Sequence, residues 1–438
     1  MPRPPFHPGS GHPSPVAPTP RPEVVILADD LTGACDTAQP FAAVAPTGVL
    51  TRDLKGLERA GGWRVLGING RTRSLEPQAA RAATREILRH LGKLGPAVLY
   101  KKIDSTLRGN VTAELQGVAE AFPDRAVLVA PAFPAMGRTT VQGQVLVRGV
   151  PADRTEYAAD PRHPVRDASL LRLCDGEGRH GADLVPLAQV REGPAALAAA
   201  LARARGPARF LCVDAETDAD LEAIARAIEA GGARYILVGS AGLAGALARV
   251  GRGQATADAV PAWPVQGRRL AVIGTRNPAA VGQVEWVRRH GLAALIAVHP
   301  ERCQGDRGDA EAGALRGQAR AALEAGRDVV VHVAGGYAPE VSASRLLAAL
   351  VDDIPPDAVR GLILSGGGTA QAVLGCLGAW GIQALAAPIP AGCSLGLLRG
   401  GRYEGIRVLL KAGGFGGEGL LGDILNLPAS ASGRPDGG

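Results

Sequence analysis

The chain has 438 residues and a mass of 44.8 kDa, room for two or three domains of about 150 residues each, so a single small module is excluded. Hydrophobic residues make up 46%, but 60 glycines and 33 prolines interrupt the apolar runs, and none reaches the roughly 20 residues that a membrane helix needs. A formal net charge of +6, from 48 Lys and Arg against 42 Asp and Glu, with 3% aromatics, offers neither a basic surface nor stacking faces for nucleic acid and suits small anions better.

Residues 1–22 carry a proline every few positions and no apolar core of signal-peptide length, and read as a disordered leader. The six cysteines, Cys35, Cys174, Cys212, Cys303, Cys376 and Cys393, form no C-x-x-C pair, which fits a reducing cytoplasm rather than a disulfide framework or zinc site. The β-branched run at 23–28 breaks at Asp29-Asp30, as a buried strand emptying into a loop does. Similar runs recur at 65–68, 98–100, 126–129, 210–213 and 235–238, with helical patterns at 77–91 and 221–230 between them. Residues 249–267 are rich in small residues and proline and read as a linker. Beyond it the alternation restarts, with strands at 270–273, 294–298, 329–333 and 361–364 and helices at 278–290 and 310–325. The pattern predicts two α/β domains with mainly parallel sheets, at 23–248 and 268–428, and a disordered tail at 429–438.

Four segments carry chemistry. Asp29 and Asp30 stand at a strand's carboxyl end, where parallel sheets commonly bind ligands, although capping the next helix accounts equally well for one of them. The block from Lys101 to Asn110 gathers Lys101, Lys102, Asp104, Ser105 and Arg108 after another strand; such density of donors and charge suits an acidic substrate better than a surface salt-bridge network. Ser365-Gly366-Gly367-Gly368-Thr369 and Lys411-Ala412-Gly413-Gly414 are glycine-rich turns that let backbone N–H groups approach a phosphate, and neither has the spacing of a P-loop.

ILADDLTGACDTA, YKKIDSTLRGNVTAEL, APAFPAMGRTTVQGQVLVRGVP, TEYAADPRHPV and LVGSAGLAGALA, followed by VIGTRNPAAVGQV, SGGGTAQAVL and LLKAGGFGGEGLL, resemble the four-carbon acid sugar kinases from about residue 23 to 425. The resemblance implies a sugar acid on the N-terminal domain, ATP with Mg²⁺ on the C-terminal domain and phosphoryl transfer across the cleft between them. Carried over, the sugar acid would meet Asp29, Asp30, Arg73, Lys101, Lys102, Asp104, Ser105 and Arg108, with Asp29, Asp30 and Asp104 as the catalytic candidates. ATP would meet Thr275, Gly366, Gly367, Gly368, Thr369, Gly413 and Gly414. Where the family usually has acids, this chain has Gly368, Pro388 and Gly417, and no metal ligand is assigned. A cytoplasmic kinase of a tetronate at its terminal hydroxyl is the expectation, with a binding protein of little turnover as the alternative. No nucleic acid or membrane partner is expected, and a homo-oligomer is among the arrangements left open.

Overall fold

The computed structural model describes residues 21–52, 54–160, 162–176, 178, 181–203, 210–231, 235–251, 263, 268–303, 305–334 and 340–426. All but a few residues of the expected leader, linker and tail lie outside them.

The first half runs β1 (Val24–Ala28), α1 (Leu31–Ala38), β2 (Thr47–Leu50), β3 (Val65–Asn69), α2 (Pro77–Gly92), β4 (Val98–Lys102), α3 (Val111–Ala121) and β5 (Ala126–Ala130). A small antiparallel sheet follows, made of β6 (Arg138–Val141), β7 (Gln144–Val147) and β8 (Val150–Pro151). The half closes with α4 (Leu170–Asp175), β9 (Ala182–Val185), α5 (Leu187–Arg191), α6 (Pro194–Arg203), β10 (Phe210–Val213), α7 (Asp218–Gly231), β11 (Tyr235–Gly239) and α8 (Ala241–Val250). The second half comprises β12 (Arg269–Ile273), α9 (Pro278–Arg289), β13 (Ala294–Val298), α10 (Gly305–Glu324), β14 (Val329–Val333), α11 (Glu340–Asp352), β15 (Gly361–Ser365) and α12 (Gly367–Cys376). It ends with β16 (Gly381–Ala384), β17 (Cys393–Arg399), β18 (Arg407–Lys411) and α13 (Leu420–Asn426). Among the described residues no helix is long and apolar enough to cross a membrane.

The architecture is α/β with a mainly parallel sheet. In the first half the order β2-β3-β1-β4-β11-β5-β10-β9 is parallel throughout; in the second, β13-β14-β12-β15-β18 is parallel and β17 and β16 run antiparallel. Buried on both faces, β1, β5, β12 and β15 need the near-continuous apolar sequences they have. The amphipathic α2 instead buries one stripe, Ala80, Thr84, Leu88 and Leu91.

The two halves share one sheet. Strand β16 pairs antiparallel with β2, Ile382 opposite Val49, giving fifteen strands in all. Thr51 donates to the Ala379 carbonyl at 2.8 Å, the Gln39 amide bridges Leu385 and Leu395, and Trp63 stacks on Trp380 at 5.5 Å. One apolar core also crosses the joint, from Ile26, Ala34 and Val49 to Ile382, Leu398 and Leu410. Strands β2, β9 and β16 to β18 and the β6-β7-β8 sheet were not among the expected elements. Most contain a polar residue or glycine, which breaks the apolar run that marks a buried strand.

Register levels the strand ends. Asn69, Ala28, Lys102 and Gly239 form one row across β3, β1, β4 and β11, and Ile273, Ser365 and Lys411 form another across β12, β15 and β18. The chain leaves β1 toward β3 on one side and reaches β4 on the other, a topological switch point that opens a crevice beyond these ends.

Candidate active site

From the end of β1, Asp29 is buried, and Asp30 caps α1 by accepting the Gly33 N–H at 2.8 Å and the Thr32 hydroxyl at 2.8 Å. From the loop after β3, Arg73 grips Asp29 through two nitrogens at 2.6 and 2.9 Å, reaches Asp30 at 2.7 Å and lies 3.6 Å from Asp104. Lys102 Nζ stands 3.7 Å from Asp29. Arg108 pairs with Asp104 at 2.9 Å, faces Asp160 at 3.6 Å and lies over the Tyr157 ring at 5.1 Å. Burial alone would raise the Asp29 carboxyl, yet Arg73, Lys102 and Lys101 outweigh it and hold the group far below the usual carboxylate range. For Asp104 burial is likewise outweighed, by Arg108, Arg73 and Lys102.

Lys101 is not part of this cluster. Adjacent strand residues face opposite sides of the sheet, so when Lys102 enters the crevice Lys101 points beneath it. There its ammonium is wholly buried and pairs with Glu114 of α3 at 3.0 Å, while Glu114 also accepts the Thr72 hydroxyl. The expected contact of Lys101 with the sugar acid is therefore replaced by a buried ion pair supporting the loop that carries Arg73.

On the other side, Gly366 caps α12 with φ +100°, a conformation that favours glycine. Gly367 and Gly368 occupy the first turn of α12, and the Thr369 hydroxyl and the neighbouring Ser365 hydroxyl are buried with no hydrogen-bond partner. Thr275, after β12, packs so closely on Gly413 that a Cβ there would lie 2.6 Å from its hydroxyl oxygen. Burial draws the Lys411 ammonium down to about 8, with Cys393 opposing, while it donates to the Ala412 and Phe415 carbonyls. Gly414, Gly368, Pro388 and Gly417 are exposed.

The two crevices meet. A Cβ on Gly367 would stand 3.0 Å from an Asp30 carboxylate oxygen, and the Arg138 guanidinium lies over the Phe415 ring at 5.4 Å. One cleft is lined by Asp30, Arg73, Lys102, Asp104, Ser105 and Arg108 from the first half and by Gly392, Ser394, Ala412 and Phe415 from the second. The structure thus brings together Asp29, Asp30, Arg73, Lys102, Asp104, Ser105 and Arg108, and separately Thr275, Gly366 to Thr369, Gly413 and Gly414.

Residues 24–247 match the model of a sugar-binding N-terminal domain and residues 270–421 that of a nucleotide-binding C-terminal domain. A D-threonate kinase of Salmonella typhimurium is 32% identical over 433 residues, covering 92% of this chain and 97% of its own. A D-threonate kinase of Bordetella bronchiseptica is 35% identical over 412 residues, covering 91% and 96%. The chain belongs to the four-carbon acid sugar kinase family. A 3-oxo-tetronate kinase of Methylobacterium radiotolerans, 32% identical over 92% of this chain and 98% of its own, is another relative in this family. A solved Salmonella typhimurium LT2 structure shares the fold at a TM-score of 0.74 and 24% identity, covering 92% of this chain and 98% of that one.

Several cleft residues escaped the sequence reading. Asp36, Phe133 and Phe415 line the cleft, and Asp160, Tyr157 and Arg138 hold its walls. Only Asp36 had a usable signal, its helical spacing of four residues from Thr32.

Proposed function

We propose that the protein transfers the terminal phosphoryl group of ATP to the 4-hydroxyl of a four-carbon sugar acid of the threonate, erythronate or 3-oxo-tetronate type. One observation carries the reading: the glycine turn at the start of α12 lies directly against Asp30 of the cationic crevice. An anion on the α12 N–H groups and a hydroxyl held in the crevice would be neighbours, and positioning of that kind supplies much of phosphoryl-transfer catalysis. Arg73, Lys102 and Arg108 supply charge for the substrate carboxylate, the guanidiniums through paired hydrogen bonds. Thr275, the turn Gly366 to Thr369, Gly413 and Gly414 cradle the triphosphate, with the unpartnered Ser365 and Thr369 hydroxyls beneath. Among the described residues no group of three or more His, Cys, Asp or Glu is placed to hold a metal. The Mg²⁺ expected with ATP would be held through the nucleotide's own oxygens. ATP as donor and the free cysteines fit the cytoplasm.

The test incubates the protein with ATP, Mg²⁺ and a panel of tetronates and follows ADP, with the product identified by phosphorus NMR. ADP release dependent on one tetronate is the expected result. Tetronate binding without ADP release would favour the second reading, a binding protein of little turnover, to which the glycines and proline at 368, 388 and 417 point.

A further inference from the structure

Asp36 lies on α1, three residues past Gly33 and four past Thr32, and lines the cleft with both. Lys102 Nζ comes within 2.5 Å of where a Gly33 Cβ would stand, so the lysine crosses this face of the helix. Ser394 and Leu410 of the second half close the cleft opposite. Among the described residues the Asp36 side chain makes neither a hydrogen bond nor an ion pair. The other acids of the cleft are engaged: Asp29 and Asp104 are held as anions by arginines, and Asp30 accepts from Arg73, Thr32 and Gly33.

A proton acceptor needs a free lone pair and an affinity for protons near the working pH, and a buried carboxylate held as an anion by arginines lacks the second. We propose that Asp36 accepts the proton of the sugar-acid hydroxyl during phosphoryl transfer, an assignment that rests on the kinase reading above. The hydroxyl oxygen forms its bond to the terminal phosphorus of ATP. The bond from that phosphorus to the bridging oxygen breaks, and ADP leaves with its electron pair. The hydroxyl proton passes to an Asp36 carboxylate oxygen and from there to solvent at the cleft mouth.

The groups facing Asp36 agree with this role. They are Asp30 and Cys35 on its own helix, Lys102 on β4, Asp104 in the loop after β4 and Cys393 on β17. Burial raises the Asp36 carboxyl most, Lys102 opposes it and Asp30 and Asp104 reinforce it, leaving the group at about 6. Such an acid is ionised at neutral pH yet still takes up a proton readily.

The experiment measures kcat against pH for the unaltered protein, Asp36→Asn and Asp36→Glu, with tetronate affinity by calorimetry. For the unaltered protein kcat should rise through pH about 6 to a plateau. Asp36→Asn should lower kcat by ~10²–10⁴-fold and abolish the acid limb while leaving tetronate affinity within about threefold. Asp36→Glu should restore part of the rate and a displaced limb. An Asp36→Asn protein that keeps its acid limb and a kcat within about tenfold overturns the assignment, as does an unaltered kcat that stays flat from pH 5 to 8. Absence of ADP release by the unaltered protein with every tetronate would instead reject the kinase reading itself.

Discussion

Arg73 reaches three carboxylates from one guanidinium, so in this structure the cations of the crevice are already answered by its acids. A substrate carboxylate must compete for them, Arg108 included, which lies over the Tyr157 ring and faces Asp160. Arg108→Ala should raise KM for the sugar acid by roughly 10–100-fold and KM for ATP little, since a charge-assisted donor is lost from one side of the cleft alone. Equal rises in steady-state kinetics would contradict that division of labour. Arg108→Lys should recover only part, because a point charge cannot reproduce the planar fork. The acids also set the pH dependence of stability, with opposite signs. Asp29 and Asp104 ionise more readily folded than unfolded, so they stabilise the fold above the ordinary carboxylate pKa of about 3.9, and that stability is lost as pH falls below it. Asp36 ionises less readily when folded, so its cost begins above about 3.9 and is complete above about 6. Asp36→Asn should therefore raise Tm at pH 8 by roughly 2–5 °C and leave it unchanged at pH 4, as thermal scans would read.

At the scale of elements, β4 does two jobs because its side chains alternate. Lys102 faces the crevice, and Lys101 faces Glu114 of α3, whose other oxygen receives Thr72 just before Arg73. Removing one partner of a buried pair leaves the other uncompensated, so Glu114→Ala should cost roughly 3–5 kcal/mol in urea unfolding, whereas replacing both partners by apolar residues should cost less. A loss below about 1 kcal/mol would show that the ammonium finds other partners. Helix α12 supplies a second element-scale prediction. Its positive φ falls on Gly366, and Gly368 sits exposed in the first helical turn. An acid is tolerated there and is favoured by the helix dipole. If an acid near the triphosphate assists Mg²⁺ binding, Gly368→Asp should fold normally, weaken metal-free ATP binding and reach half-maximal turnover at lower Mg²⁺. An unchanged Mg²⁺ dependence would mean that the glycine is a neutral departure.

For the whole molecule, the β2–β16 pairing and the core that crosses it make separation of the halves costly. Dividing the chain would expose two unpaired strand edges and strip Gln39 of its carbonyl and amide partners. Calorimetry should show a single endotherm, and Gln39→Ala should lower it as a whole by leaving buried backbone groups unsatisfied at about 1–3 kcal/mol. Two resolved transitions would show that the halves unfold independently. The β6-β7-β8 sheet adds a contact across the cleft through Arg138 and Phe415, so the second half's glycine-rich loop is held by the first half.

The sequence alone determined the α/β class, ten of the strands and the motifs that converge on the cleft, because buried parallel strands need unbroken apolar runs and loops at their carboxyl ends need polar, glycine-rich ones. Family membership was legible for the same reason, in long contiguous motifs. Only the tertiary structure decided what spacing does not encode. Lys101 and Lys102 are chemically identical neighbours, and the pleat that sends one beneath the sheet shows only once the two faces have been built. The continuity of the sheet depended on short strands at 47–50 and 381–384, whose pairing partner lies more than 300 residues away and leaves no local periodicity. Asp36 stands apart from the other acids for a similar reason: which carboxylates the arginines engage, and which one they leave, is set by distances between loops that are remote in sequence.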